Sequence, residues 1–177
     1  MTHARTPEAL GDFDRPIEES IAACFPRSHA LLEAARGELG VQEIPPGSNR
    51  GPRVEEYLSS VFLAGGNPWC AAFISWCARQ AKATLLPRSG WTPAFLRAPG
   101  CRVAQEIPST VAPGMLFLLF YPSLARVGHI GVIEGPTDNP LEATTIEGNS
   151  NDEGAREGYE VCRRTRRIDK MFALITY

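Results

Sequence analysis

"NPWCAAFISWC", residues 67 to 77, has the composition of a helix start followed by a single apolar face. Asn67 is a favoured N-cap residue, and Pro68 suits the first helical position. The apolar residues beyond them recur at the spacing of one buried helix face: Phe73, Ile74, Cys77 and Ala81. Cys70 would lie in the first turn, where unpaired backbone N–H groups and the positive end of the helix dipole favour a thiolate. The segment therefore predicts a helix headed by a reactive cysteine, with Cys77 as a core residue.

Upstream of this segment the sequence predicts two more helices and a long loop. Ser28 is an N-cap residue ahead of a helix that Gly40 ends. The apolar positions of that helix are Leu31, Leu32, Ala35 and Leu39. Residues 1 to 27 predict a loosely ordered arm with a short helix near 17 to 24. Residues 43 to 53 hold three prolines and two glycines, which predicts a loop long enough to serve function. A short helix follows, with its apolar residues at Val54, Tyr57, Leu58 and Val61.

Downstream the pattern changes to strands separated by Pro, Gly, Asn and Asp turns. The predicted strands are 101–106, 114–121, 128–134, 142–148, 158–166 and 171–176. Connections this short exclude helical crossovers, so the strands should pair antiparallel. The sequence predicts an α+β fold, with N-terminal helices packed on a central antiparallel sheet of about five to six strands. We expect one domain over residues 28–177, preceded by the arm at 1–27.

Composition excludes several classes of function. A net charge of −2 over 177 residues offers no basic surface for nucleic acid. No apolar run reaches the roughly 20 residues of a membrane helix, and the polar N-terminus has no apolar core of a Sec signal peptide. Five cysteines without a CxxC pair and three histidines without HExxH predict neither a metal site nor a cofactor. One basic cluster, Arg163, Arg164, Arg166 and Arg167, suits the solvent face of a strand better than an anion site.

A cysteine nucleophile needs a general base and a group that orients the base. His129 is the best-placed histidine, because Gly128 and Gly131 beside it leave room for another segment to approach. In "TIEGNSN", Glu147 and Asn149 are two residues apart and would share one face of a strand. A carboxylate or amide there could hold the imidazole in one tautomer. Each part alone also fits a structural histidine or a simple turn.

Four segments together resemble the CHAP family of cysteine-, histidine-dependent amidohydrolases and peptidases, which share the papain-like fold with NlpC-type enzymes. They are "EIPPGSNRGPRVEEYL", "PWCAAFISWC", "GHIGVIEG" and "IEGNSN", and the resemblance runs from about Gly40 to the C-terminus. It implies that Cys70 is the nucleophile, His129 the general base and Glu147 the orienting acid, with Asn149 also lining the site. Family members usually carry an aspartate where this chain has Met115.

The resemblance implies hydrolysis of amide bonds in peptidoglycan, at N-acetylmuramoyl-L-alanine or within the peptide stems and cross-bridges. Around the site we expect substrate contacts from Asn49, Arg50, Trp69 and Trp91, although Trp91 alone would favour packing. The second oxyanion donor is expected from the loop that holds Asn49 and Arg50. No metal or cofactor is implied.

Three biological settings fit a cytoplasmically made chain without a Sec signal that acts on the cell wall or periplasm. It could be a phage lysin released through a holin, an autolysin exported by another route, or an injected antibacterial toxin, whose partner would be an immunity protein. A monomer is the default expectation, with no membrane insertion. The alternatives are a non-catalytic wall-binding module and a cytosolic amidase acting on a small peptide conjugate.

Overall fold

The structure, a computed structural model, describes the backbone of residues 17–103, 111–151 and 158–177, with side chains from residue 27 onward in these ranges. Over these ranges three α-helices precede six strands. The helices are α1 (Ile17–Arg36), α2 (Pro52–Ser60) and α3 (Cys70–Gln80), and a short 3-10 helix, Thr92–Arg97, follows them. The strands are β1 (Cys101–Val103), β2 (Leu116–Tyr121), β3 (Arg126–Pro136), β4 (Glu142–Ser150), β5 (Glu160–Arg167) and β6 (Ala173–Ile175).

The strands form one sheet in the order β1-β6-β2-β3-β4-β5, and every neighbouring pair is antiparallel. The α+β class and the antiparallel sheet are thus confirmed. Each predicted strand overlaps an observed one, except that residues 104–106 of the first lie outside the described residues. β3 and β4 are adjacent, and β4 pairs with β5, where Glu147 lies opposite Cys162. The sheet therefore places the predicted histidine and carboxylate on neighbouring strands.

The predicted N-cap at Ser28 is wrong, because α1 begins at Ile17 and continues through Ser28 to Arg36. The short helix expected near 17 to 24 is the first part of this same helix. Pro26 removes one backbone hydrogen bond from its interior, which made a break plausible from sequence. The buried apolar face that follows, Leu31, Leu32 and Ala35, packs the second half of the helix into the core. Burial of that face stabilises α1 more than local propensity does.

α3 also begins later than its capping signals predict. Trp69, with φ −123° and ψ 8°, immediately precedes the first helical residue, Cys70. The side chain of Asn67 donates instead to the carbonyl oxygen of Ala64, at 2.9 Å. The predicted cap at Asn67 and helical start at Pro68 are therefore wrong, and Cys70 is the first residue of the helix.

α3 is buried along most of its length, between the other helices and the sheet. Tyr57 of α2 stacks on Trp69 with ring centroids 5.7 Å apart and meets Phe73 edge-on at 5.4 Å. Gly148 of β4 lies directly under this cluster, and a Cβ there would come within 2.7 Å of Trp69 and 2.8 Å of Phe73. Because the glycine lets helix and sheet approach so closely, the head of α3 is held rigidly over β3 and β4. Within the described ranges, no helix is both long and apolar enough to cross a membrane.

Candidate active site

Cys70 lies at the head of α3 with 5% of its surface exposed. Its Sγ is 3.8 Å from Thr92 Oγ1 and 4.0 Å from the carbonyl oxygen of Gly128. The His129 side chain also interacts electrostatically with the same sulfur. The first turn of α3 adds backbone N–H groups that have no partner within the helix. Thr92, His129 and these N–H groups are donors suited to a thiolate, whereas the carbonyl oxygen of Gly128 accepts from the thiol form.

His129 and Glu147 meet across the β3–β4 pair. His129 Nε2 lies 2.7 Å from Glu147 Oε2, and both residues are buried. Because Nε2 faces the carboxylate, Nδ1 is the ring nitrogen left for the sulfur of Cys70. Gly131 makes room for this arrangement, since a Cβ there would lie 2.9 Å from Glu147 Cγ. The structure therefore brings the three predicted catalytic side chains into one line of contacts.

Glu147 is held by a residue that the sequence interpretation assigned to the solvent. Arg166 Nε donates to Glu147 Oε1 at 2.7 Å, and Arg166 Nη2 donates to Oε2 at 2.6 Å. Thr145 Oγ1 donates to Oε1 at 2.7 Å. Burial opposes ionisation of this carboxyl, but Arg166 and His129 hold its pKa well below the ordinary value. Glu147 therefore remains a carboxylate.

The expected solvent face for all four arginines of β5 is wrong, because adjacent strand residues alternate between faces. Arg163 and Arg167 pair with the surface carboxylates of Glu134 and Asp169. Arg166, only partly exposed, points to the other face and reaches Glu147. The period-two alternation within the cluster was the signal that could have separated it from Arg163 and Arg167.

The charges of Cys70 and His129 support each other. Burial raises the pKa of the Cys70 thiol, but the hydrogen bond and charge of His129, with the hydroxyl of Thr92, lower it below its ordinary value. Burial likewise lowers the pKa of His129, but its contacts with Cys70 and Glu147 raise it to about 9. Both directions favour a thiolate–imidazolium pair anchored on Glu147.

Asn149 contacts the residue before α3, and among the described contacts it makes none with the imidazole of His129. Its Oδ1 accepts from the backbone N–H of Trp69 at 3.3 Å. Its Nδ2 donates to the carbonyl oxygen of Gly158 at 2.8 Å and to Asn49 Oδ1 at 3.0 Å. These contacts fix the residue immediately before Cys70. Asn149 is therefore a positioning residue, which corrects the expectation that it lines the site.

Three of the expected substrate contacts do not reach the site. Trp69 is fully buried, and its Nε1 donates to the buried Glu43 at 2.8 Å, so it belongs to the core. Asn49 is engaged by Asn149 and by Glu43, which accepts from its backbone N–H at 2.9 Å. Arg50 faces Glu55 at 3.5 Å. The loop at residues 43–53 thus contacts Trp69 and Asn149, and neither Asn49 nor Arg50 lines the pocket beside Cys70.

A pocket of about 430 Å³ opens beside the sulfur. Its walls include Cys70, Thr92, Leu63, Arg88, Arg126 and Trp91. Trp91 is 57% exposed, so it is the expected substrate contact that does border the site. Among the described residues, no three His, Cys, Asp or Glu side chains come together as a metal site. The arrangement can perform nucleophilic attack on an acyl group with its own side chains.

Comparison with known proteins adds little to this geometry. No protein-family model and no curated protein matches the chain. Among solved structures, the chain is similar to one described as "The crystal structure of Ly7917", with 17% identity and a TM-score of 0.49. The match covers 84% of this chain, which spans only 61% of that one. A likeness this distant carries no argument about chemistry.

Proposed function

We propose that this chain is a cysteine amidohydrolase or peptidase of the papain-like CHAP type. One arrangement carries the proposal: hydrogen bonds join Arg166 to Glu147 and Glu147 to His129, and His129 interacts electrostatically with the sulfur of Cys70, which borders an open pocket. A binding module needs no buried thiolate–imidazolium pair. The antiparallel sheet behind the cysteine helix is the architecture that such a fold requires.

Hydrolysis would proceed through a thioester. The Cys70 thiolate attacks the amide carbonyl carbon, the S–C bond forms, and the carbonyl electron pair moves onto oxygen. The oxyanion collapses, the C–N bond breaks, and the His129 imidazolium gives its proton to the leaving amine. His129 then takes a proton from water as the water attacks the thioester. The C–S bond breaks, releasing the acid and restoring the thiolate–imidazolium pair.

Two donors beside the sulfur are suited to the oxyanion. One is the backbone N–H of Cys70, at the free N-terminal end of α3. The other is the hydroxyl of Thr92, which is 96% buried, borders the pocket and lies 3.8 Å from Sγ. The oxyanion forms next to the sulfur, so a hydroxyl at this distance can donate a hydrogen bond to it as its negative charge develops. Thr92 thus replaces the loop at Asn49 and Arg50 as the proposed second donor.

The proposed substrates are amide bonds of peptidoglycan, either N-acetylmuramoyl-L-alanine or bonds within the peptide stem and cross-bridge. This choice is supported by the sequence resemblance around Cys70, His129 and Glu147. A pocket of about 430 Å³ is large enough for a short peptide. The chain would act on the wall as a phage lysin or as an injected antibacterial effector, and in the second case an immunity protein would cover the pocket.

Mass spectrometry of purified muropeptides tests the proposal. The digests compare wild-type protein, Cys70→Ala and the control Cys77→Ala, which changes a core thiol on the same helix. We expect products with wild type and Cys77→Ala but none with Cys70→Ala, and the product masses identify the bond cut. Intact muropeptides in all three digests would refute peptidoglycan as the substrate.

A further inference from the structure

The pocket beside Cys70 is positively charged. Among the described residues that line it, the cationic ones are Arg88 and Arg126, and no aspartate or glutamate joins them. The charge of the Cys70 thiolate is balanced by the adjacent His129 imidazolium. The whole chain has a net charge of −2, so this positive charge is a local feature of the pocket. A concave site with charge of one sign attracts ligands of the opposite sign.

Both arginines are held by neutral groups, and among the described residues no carboxylate pairs with either of them. Arg88 donates through Nε to the carbonyl oxygen of Ser60, and its guanidinium lies 4.2 Å from the ring centroid of Phe62. Arg126 donates through Nη1 to the carbonyl oxygen of Val127 at 2.9 Å. A guanidinium has five N–H donors, so each arginine keeps several for a ligand. Anchoring of this kind also reduces the entropy lost on binding.

The structural arginines of this chain are held differently. Arg53 pairs with Glu38 at 2.6 Å, and Arg166 pairs with Glu147 at 2.6 Å. In both cases a carboxylate of the chain itself neutralises the guanidinium. The pocket arginines have the same donors, but no carboxylate in the described part of the chain pairs with them. A carboxylate of a ligand would supply that partner through one or two hydrogen bonds.

We propose that Arg88 and Arg126 select substrates that carry a free carboxylate close to the scissile amide. The inference rests on the proposed function, because it takes Cys70 as the group that attacks this amide. Trp91, exposed on the same pocket, supplies an apolar surface for the carbon skeleton that joins carboxylate and amide. The substrate class is therefore an acidic peptide, and the neutral carboxamide analogue is disfavoured.

The test uses two synthetic stem peptides that differ only at the residue beside the cleaved bond, which carries a carboxylate in one and a carboxamide in the other. kcat/KM is measured for wild type, Arg88→Gln, Arg126→Gln and the control Arg102→Gln, an exposed arginine of β1 that does not line the pocket. We expect wild type and the control to prefer the carboxylate by about 10-fold to 100-fold, as for a charge-assisted hydrogen bond. The pocket variants should lose this preference mainly through KM. Equal cleavage of both peptides by wild type, or an unchanged preference in both pocket variants, would overturn the proposal.

A binding measurement separates this proposal from the proposed function. Calorimetric titration of Cys70→Ala with the two peptides needs no turnover. If wild type cleaves neither peptide nor muropeptides, tighter binding of the carboxylate peptide, lost in Cys70→Ala/Arg88→Gln and Cys70→Ala/Arg126→Gln, would retain the pocket assignment while the hydrolase fails. Equal binding of both peptides, or none, would reject the pocket assignment as well.

Discussion

The two cysteines of α3 show what separates a reactive thiol from an inert one. Cys70 and Cys77 are both buried and lie seven residues apart on one helix, yet their pKa values move in opposite directions. Burial raises the pKa of Cys77, and the negative charge of Glu38 raises it further. Burial acts on Cys70 in the same sense, but His129 and Thr92 reverse the outcome. Burial therefore disfavours the reactive thiolate unless hydrogen-bond donors and a cation lie beside the sulfur.

The largest expected effect comes from removing each sulfur in turn. Cys70→Ala should lower kcat by roughly 10⁴-fold or more, as loss of a nucleophile does. Its fold should stay close to wild type, because His129 can release its proton once the thiolate is gone. Cys77→Ala should keep its activity and lose about 1–2 kcal/mol of unfolding free energy, since it leaves a small cavity. Peptide hydrolysis measures kcat, and urea unfolding measures the free energy of unfolding. Wild-type activity in Cys70→Ala would show that Cys70 is not the nucleophile.

Removing the charge that supports His129 should have the next largest effect. Arg166→Met leaves the buried carboxylate of Glu147 without its main partner, so we expect a loss of about 3 kcal/mol in unfolding free energy. The matched control, Arg163→Met on the same strand, breaks an exposed pair with Glu134 and should cost no more than about 1 kcal/mol. Urea unfolding compares the two variants.

The same pair of variants sharpens the contrast between the cysteines. Loss of Arg166 should raise the pKa of the buried Glu147 carboxyl and favour its protonated form. A protonated Glu147 would no longer stabilise the His129 imidazolium, so the pKa of the Cys70 thiol should rise in Arg166→Met. The pH dependence of Cys70 alkylation by iodoacetamide reports this pKa. Equal stability and equal alkylation profiles in Arg166→Met and Arg163→Met would show that Arg166 does not position the site.

Thr92→Val tests the donor that distinguishes the surroundings of Cys70 from those of Cys77. The substitution keeps the shape of the side chain and removes its hydroxyl, so kcat should fall by about 100-fold, as for loss of one oxyanion donor. Thr92→Ser should restore most of the activity. Single-turnover hydrolysis measures both, and a Thr92→Val rate equal to that of wild type would remove Thr92 from the mechanism.

The smallest effects are those of pH. Because the pKa of His129 is raised from 6.5 to about 9, its charged form contributes stability that is complete below pH 6.5 and is lost as pH rises through about 9. Hydrolysis should decline over the same upper range, because the leaving amine then lacks its proton donor. Cys70 should be alkylated below its ordinary pKa of 9.0, while Cys77 reacts only on unfolding. A rate of hydrolysis that keeps rising beyond pH 10 would contradict the ion pair.

Sequence reasoning was most reliable for elements with a clear period. The strands of the sheet and the buried face of α3 follow from alternation and helical spacing, because each depends on neighbouring residues. Helix starts were less predictable. α1 continues through Ser28 in spite of its cap signal, and the side chain of Asn67 bonds to the carbonyl oxygen of Ala64 instead of capping α3.

Some residues of the site could be named from the sequence, and others could not. Cys70, His129 and Glu147 could be named from their combination and order along the chain and from the family resemblance, although each alone also fits a structural role. Arg166, Thr92 and Glu43 could not, since each acts through a partner at least 19 residues away in the chain.

From the amino-acid sequence alone, the order and type of the elements followed, along with the cysteine, histidine and glutamate that we propose as the catalytic residues. The tertiary structure alone decided which arginine supports Glu147, which arginines face the pocket and which hydroxyl reaches the sulfur. The physical reason is the difference between separation along the chain and distance in space. Periodicity and turn chemistry act between neighbours in the chain, whereas a hydrogen bond or an ion pair depends on the distance between two groups and on the surrounding dielectric. Sheet register and helix packing determine that distance and that dielectric only after the chain has folded.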